Sequence, residues 1–166
     1  MVSNLFNIID VSEFEQETSE PLGSKHKFWF DSNRLFKVGR ENTGENWTEK
    51  VADELCNLLE IPHASYHFAI WRGINGVVTR SVVPAGGRLI LGNELLSVHV
   101  GNYPRKELRG VNQYMLTNVL AILSIPTLQP PMQQGFPADL NSALDIFVGY
   151  LMLDALIANQ DRHHEN

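Results

Sequence analysis

The segment LNSALDIFVGYLMLDALIAN, at residues 140–159, constrains the fold of this chain more than any other feature. Its large apolar side chains recur every three or four residues, which is the period of an α-helix. Because this helix is apolar almost all round, we expect it to be buried in a core, with Asp139 or Asn141 as its N-terminal cap. The recurring positions are Leu140, Leu144, Phe147, Leu151 and Ala155.

The first hundred residues have a different texture, that of a twisted antiparallel sheet carrying one main helix. Short runs rich in aromatic and β-branched residues predict strands, and turn residues separate them. Asp31–Asn33 are the turn of a first hairpin, and Ile74 and Asn75 are the expected connection in a second. A helix is predicted at 47–60, where Pro62 stops it. The predicted strands cover residues 4–11, 27–30, 34–39, 63–73, 76–83 and 88–96, the last broken at Gly92.

The second half of the chain favours helices over strands. A helix is predicted at 112–124, and a proline-rich loop at 127–137 separates it from the long apolar helix. The expected class is therefore α+β. Residues 1–97 would form a sheet-rich lobe, and residues 98–166 the start of a helical lobe.

Composition excludes several classes of protein. With 166 residues, 43% of them hydrophobic, the chain can bury a globular core, and its net charge of −6 argues against direct binding of nucleic acid. The single Cys56 excludes a disulfide framework and a multi-cysteine zinc site. Apolar runs stay short of the roughly 18 residues that a membrane helix needs, and the first residues lack the positive charge of a signal peptide. We therefore expect a cytoplasmic protein without a membrane partner.

The nonapeptide ANQDRHHEN, at 158–166, carries the densest group of reactive side chains in the sequence. Phosphoryl transfer needs a carboxylate to orient the substrate hydroxyl and an oxygen donor to hold Mg²⁺. Asp161 and Asn166 are of these two types. The alternative is a polar helix end that faces water.

The adjacent histidines of this nonapeptide raise the alternative of a metal site. Neighbouring loop residues reach one ion only with a strained backbone, and the order HHEN is not the zinc motif HExxH. We therefore expect His163 to point inward and orient the loop, and His164 to be solvated.

Lys37 lies in a predicted strand among the apolar residues of RLFKVG. A strand lysine that contacts ATP phosphates and is braced by a helix glutamate satisfies its charge. Glu49 is the candidate brace, and Glu54 is its rival. Alternatively, Lys37 extends to water from an edge strand, and Glu49 is a first-turn acid favoured by the helix dipole. The loop PLGSKHKF, at 21–28, could cover phosphates with backbone N–H groups or be an ordinary turn.

The order of these features resembles that of a kinase family. A small-residue loop, a strand lysine, a helix glutamate, two helices and the motif N-x-D-x-H-x-x-N follow one another along the chain. The arrangement resembles the HipA-like kinases, which are bacterial serine/threonine kinases of toxin–antitoxin systems and are distantly similar to phosphoinositide kinases. The resemblance covers residues 20–166 and is strongest at 34–62 and 145–166. The motif residues are Asn159, Asp161, His163 and Asn166.

The resemblance implies a protein-kinase-like bilobal fold that uses ATP and Mg²⁺. Asp161 would be the catalytic base that orients a serine or threonine hydroxyl of a protein substrate. Asn166 would bind Mg²⁺. Lys37 would contact the α- and β-phosphates, with Glu49 as its partner.

Further positions follow from the same resemblance. His163 would be a structural member of the catalytic loop. The hinge backbone between Leu91 and Glu94 would contact the adenine. Ser24 would lie in the phosphate loop, where some relatives phosphorylate themselves. An antitoxin protein would be a partner.

The chain also departs from the family pattern. The family has a second Mg²⁺-binding aspartate some twenty residues after the catalytic loop, and the sequence ends before that position. We therefore expect the chain to be the front part of a longer kinase, and the exposed face of the 139–158 helix to seek a partner.

Three other functions compete with the kinase hypothesis. An inactive kinase fragment that serves as a protein-binding module is the nearest rival, because the second aspartate is missing. A lipid kinase is disfavoured by the acidic composition and the lack of a basic cluster. A metal-dependent hydrolase would have to use His163 and His164.

Overall fold

The structure is a computed structural model that describes residues 6–19, 26–40, 42–107, 110–131 and 140–165. It contains a mixture of strands and helices, as expected. The chain divides into two compact units. The first consists of Met1–Leu59 and His63–Pro84, and the second of Glu60–Pro62 and Ala85–Asn166. The predicted lobe boundary at residue 97 stays a prediction.

The first unit is built on a six-stranded sheet with the strand order β1-β5-β6-β4-β3-β2. All neighbouring pairs are antiparallel except β1 and β5, which run parallel. The strands are β1 (Ile9–Asp10), β2 (Thr18–Ser19), β3 (Lys27–Phe30), β4 (Arg34–Val38), β5 (Tyr66–Trp71) and β6 (Ile74–Arg80).

The core of the first unit is aromatic because alternate residues of β3 and β4 face the same side of the sheet. Phe28, Phe30 and Phe36 are fully buried there, and Val11, Ala69 and Val78 complete the cluster. Helix α1 (Glu45–Leu58) packs on β5 and β6. The side of α1 that faces these strands carries the acids described below.

The second unit is helical, with α2 (Gly92–His99), α3 (Leu116–Leu123) and α4 (Ala143–Ile157). Leu96, Tyr103 and Ile122 are its buried cluster. Helix α4 begins with a capping box, in which Ser142 and Asp145 exchange side-chain to backbone hydrogen bonds. None of the helices within the described residues is long and apolar enough to cross a membrane.

Several local predictions are wrong, each for a local reason. The predicted strand at 88–96 is absent, and Gly92 begins α2 where a break was expected. The second hairpin turns at Arg72 and Gly73, whose φ angles of 50° and 81° suit a tight two-residue turn, so Ile74 and Asn75 belong to β6.

Two predictions about the long helix are also wrong. Its cap is Ser142 and not Asn141, while Asp139 lies outside the described residues. The helix buries Ile146 and Leu153 but leaves Met152 65% exposed. An all-round apolar helix is therefore buried on one side only in this chain.

Candidate phosphate site and catalytic loop

Lys37 and Glu49 are in contact. The ammonium of Lys37, on β4, donates a hydrogen bond to Oε1 of Glu49, on α1, over 3.1 Å. Their side chains are 20% and 29% exposed, so the pair is partly shielded from water. The sequence predicted this pairing, and its rival partner Glu54 instead forms an ion pair of 2.6 Å with Lys50.

The side chain of Tyr66 also contacts Lys37, and the sequence did not predict this contact. Nζ of Lys37 donates to the Tyr66 hydroxyl over 2.5 Å and lies 4.7 Å from the centre of its ring. Burial acts to lower the pKa of Lys37, but interactions with Tyr66 and Glu49 outweigh it and raise the pKa above 10.5. The ammonium is therefore charged throughout the neutral range.

The backbone around Lys37 is held closely by strand β6. Val38 of β4 is opposite Gly76 of β6. A Cβ atom at Gly76 would lie 2.3 Å from the carbonyl oxygen of Lys37, which is closer than atoms approach without displacement. Glycine at this position therefore lets the two strands approach and fixes the backbone from which Lys37 projects.

Asp53, another acid of α1, is hydrogen-bonded to the first residue of β5. Asp53 is one helical turn after Glu49, and its side chain is 1% exposed. Its carboxylate binds the ammonium of Lys50, lies 3.1 Å from Nε2 of His63 and accepts a hydrogen bond of 3.1 Å from the backbone N–H of Tyr66. Tyr66 is thereby held through both its backbone and its side chain.

The motif N-x-D-x-H follows α4 in the second unit and is braced against that helix. Arg162 binds both carboxylate oxygens of Asp154, over 3.1 Å in the case of Nη2 and Oδ1. Nδ2 of Asn159 donates to the same carboxylate over 2.8 Å. The hydrogen bond from Arg162, opposed by burial, lowers the pKa of Asp154 below 3.8. The brace is therefore ionic at neutral pH.

Asp161, the predicted catalytic base, lies beyond this brace. Its side chain is 93% exposed. Its backbone N–H donates to Oδ1 of Asn159 over 3.1 Å, so the motif asparagine shapes the turn that presents the carboxylate. Exposure leaves the carboxylate of Asp161 accessible to a substrate hydroxyl.

The two histidines have the opposite environments to those predicted. His163 is exposed, and its Nδ1 accepts the backbone N–H of Glu165 over 3.2 Å. His164 is 3% exposed, its Nδ1 lies 2.9 Å from the hydroxyl of Tyr103, and its ring packs against Tyr114. The prediction that His163 points inward is wrong, because it is the ring of His164 that packs against Tyr103 and Tyr114.

The predicted hinge residues lie at the start of α2. Leu91 is the N-cap, and its carbonyl accepts the N–H groups of Glu94 and Leu95, so this oxygen belongs to the helix. The carboxylate of Glu94 binds Arg88 and Arg105, and the hydrogen bond from Arg88 lowers its pKa. Contact of this segment with adenine stays a prediction.

Buried Asn93 connects the start of α2 to the end of the described chain. Its Nδ2 donates to the carbonyl of Arg105 over 3.0 Å and to Oε1 of Glu165 over 3.4 Å. The segment that follows α4 is therefore anchored by Asn93 and by the buried His164 ring.

The residues present fit a nucleotide in part. The charged ammonium of Lys37 has the chemistry that phosphates require, and the carboxylate of Asp161 offers oxygen, which Mg²⁺ prefers. The predicted Mg²⁺ ligand Asn166 and the predicted phosphate-loop residue Ser24 lie outside the described residues. Within the described ranges, no group of three or more His, Cys, Asp or Glu side chains is placed to hold a metal.

The fold of this chain is similar to that of a solved kinase structure. The chain matches no protein-family model, and no curated protein matches it. Among solved structures it is similar to the Helicobacter pylori proinflammatory kinase CtkA, with a TM-score of 0.66 over 96% of this chain and a sequence identity of 17%. The chain has a protein-kinase-like fold. The predicted fold class is thereby confirmed, and the chain spans 53% of the length of CtkA.

Proposed function

We propose that the protein is an ATP- and Mg²⁺-dependent protein serine/threonine kinase of the HipA-like class. The observation that carries the proposal is the contact of 3.1 Å between Lys37, on β4, and Glu49, on α1, in a chain of kinase-like fold. A strand lysine braced by a helix glutamate is the arrangement with which protein kinases hold nucleotide phosphates.

The two units contribute different chemistry to this proposal. The partly buried ammonium of Lys37 would neutralise charge on the nucleotide phosphates. The exposed carboxylate of Asp161 would accept a hydrogen bond from the substrate hydroxyl and orient it for attack. Asn166 would help to hold magnesium, which when bound supplies positive charge at the transferring phosphoryl group.

The class and partners are proposed from the sequence resemblance. The order of Lys37, Glu49 and the motif at 159–166 is the basis for the HipA-like assignment. A serine or threonine of a protein in the cytoplasm would be the acceptor, and an antitoxin protein a partner.

Transfer of the γ-phosphate tests the proposal directly. Asp161→Asn in the full chain should lower the rate of phosphate transfer to protein by at least about a hundredfold, which is the usual contribution of a positioned catalytic carboxylate. Radiolabelled ATP and a serine-containing protein substrate provide the assay. Activity of Asp161→Asn equal to that of the unsubstituted protein would refute the catalytic role.

Asp31→Asn is a matched control for this substitution. Asp31 is an exposed turn residue with a φ of 47°, a conformation that asparagine adopts readily. The substitution removes an ion pair with Arg34 in which the side chain of Asp31 is 53% exposed. Its activity should therefore match that of the unsubstituted protein.

An inactive kinase-like binding module is the second candidate. The exposed apolar residues of α4, Val148, Met152 and Leu156, favour it because such faces serve as binding surfaces. This function requires that ATP binding be weak or independent of magnesium. Calorimetric titration with ATP, with and without magnesium, separates the candidates, since micromolar magnesium-dependent binding is expected of the kinase alone.

A further inference from the structure

Tyr66 contacts Lys37 through its hydroxyl and is anchored through its backbone N–H. The first residue of β5, it is held from behind by the carboxylate of Asp53, which accepts its backbone N–H over 3.1 Å. Asp53 is itself fixed, because it is buried and binds Lys50 and His63. The hydroxyl of Tyr66 therefore approaches Lys37 from an anchored backbone.

The side chains of Glu49 and Tyr66 both accept hydrogen bonds from Lys37. The ammonium of Lys37 donates to the hydroxyl of Tyr66 and to the carboxylate of Glu49. An ammonium has no acceptor, so the oxygen of the phenol accepts from it.

This arrangement directs the ammonium without adding a second negative charge. An ammonium has three N–H donors, and Glu49 and Tyr66 use two of them. Burial raises the pKa of Tyr66 above 10.0, although the ammonium of Lys37 acts against it, so the phenol is neutral at neutral pH. A second carboxylate at this place would repel a phosphate, whereas a neutral phenol does not.

We propose that Tyr66 is a positioning residue that holds the ammonium of Lys37 in the orientation that binds a nucleotide phosphate. Glu49 alone would let the ammonium rotate on its flexible stem. The hydroxyl of Tyr66 supplies the second fixed point, and the third N–H would meet the phosphate. This inference deepens the proposed function and rests on it.

The substitution Tyr66→Phe tests the proposal because it removes the hydroxyl and keeps the ring. Affinity for ATP should fall about three- to tenfold, the usual effect of losing one hydrogen bond that orients a charged group. Affinity for adenosine, which has no phosphate, should be unchanged. Calorimetric titration of the full chain with each compound measures both, and retention of the far-ultraviolet circular dichroism spectrum shows that the variant is folded.

A second readout follows Lys37 without any nucleotide. Acetic anhydride modifies only the uncharged form of a lysine amine, so the extent of modification across a pH series reports its titration. In Tyr66→Phe, Lys37 should become reactive at lower pH, since one interaction that raises its pKa is lost. Exposed Lys106 is the internal reference. Tyr150→Phe, which loses a hydroxyl bonded to the carbonyl of Pro62, should leave the profile of Lys37 unchanged.

The outcomes separate this proposal from the proposed function. An unchanged labelling profile, or equal losses of ATP and adenosine affinity, overturns the role of Tyr66. Lys37→Met is the reference for the function itself. If Lys37→Met leaves ATP affinity unchanged, the phosphate-binding role of Lys37 fails and the proposal for Tyr66 fails with it. If Lys37→Met weakens ATP binding and Tyr66→Phe does not, only the role of Tyr66 is refuted.

Discussion

The ionic brace between Asp154 and Arg162 should be a major source of stability in the second unit. Asp154→Asn keeps the shape of the side chain but removes the charge that Arg162 and Asn159 bind. The guanidinium of Arg162, which also lies over the rings of Phe147 and Tyr150, would then be left without its anion. We expect the variant to unfold more easily and to hold the catalytic loop less firmly.

The size of this effect follows from the burial of the pair. An exposed ion pair contributes about 0–1 kcal/mol, and removing one partner of a fully buried pair costs about 3–5 kcal/mol. The side chains of Asp154 and Arg162 are 12% and 29% exposed, between these limits. We therefore expect Asp154→Asn to lower the free energy of unfolding by about 2 kcal/mol at neutral pH.

The effect should also depend on pH in a defined direction. The pKa of Asp154 in the folded protein is below its ordinary value of 3.8. Its contribution to stability is therefore complete at pH values above 3.8 and is lost as the pH falls through the lower folded value. The difference between the unsubstituted protein and Asp154→Asn should be full at neutral pH and should close on acidification below 3.8.

Urea unfolding followed by helical circular dichroism measures this difference. Within the described residues, α2, α3 and α4 belong to the second unit and α1 to the first, so the helical signal reports mainly on the second unit. Glu15→Gln is the control, because its ion pair with Arg72 is exposed and should contribute less than about 0.5 kcal/mol. A loss in Asp154→Asn no larger than in this control, or one that persists unchanged below pH 3.8, would refute the reasoning.

Two further predictions concern the ends of α4. Ser142→Ala removes the capping box and should cost about 1 kcal/mol, measured by urea unfolding, whereas Asn141→Ala should cost less because Asn141 is not the cap. His164→Ala removes a buried ring next to Tyr103 and should accelerate hydrogen exchange at 159–165, whereas His163→Ala, at an exposed ring, should have the smaller effect on that segment. Equal effects of the two histidine substitutions would contradict the anchoring role of His164.

The pairing of Lys37 with Glu49 could be predicted because local patterns place both residues. The strand pattern of RLFKVG and the helical spacing at 47–60 are each visible within a short window. A lysine among apolar residues also requires an anion, and the predicted helix offers several acids, of which Glu49 and Glu54 were the candidates. The sequence therefore predicted an acid of this helix as the partner, and the helix geometry selects Glu49.

Tyr66 could not be identified from such windows. It lies 29 residues from Lys37, and the contact depends on the order of the strands and on their register. Burial of an aromatic residue at a strand start is also expected without any function. A useful signal was nevertheless present, because a tyrosine in a half-buried strand needs a partner for its hydroxyl.

Which of the two histidines is buried could not be predicted from short windows either. Neither helical nor strand periodicity applies to the segment after α4, so the sequence does not say which neighbour faces inward. The choice is made by Tyr103 and Tyr114, whose rings lie beside that of His164. Contacts across 61 residues, as between Tyr103 and His164, are fixed by tertiary packing alone.

Burial distinguishes the two groups to which we assign phosphoryl transfer, and the difference agrees with the tasks proposed for them. An ammonium that stabilises phosphate charge acts more strongly when it is desolvated and preorganised, as Lys37 is between Glu49 and Tyr66. A carboxylate that meets an incoming protein hydroxyl has to be accessible, and Asp161 is 93% exposed. The backbone of Asp161 is held by Asn159, which is itself bound to the brace of Asp154 and Arg162. Weakening this brace should consequently impair orientation of the acceptor hydroxyl more than binding of ATP.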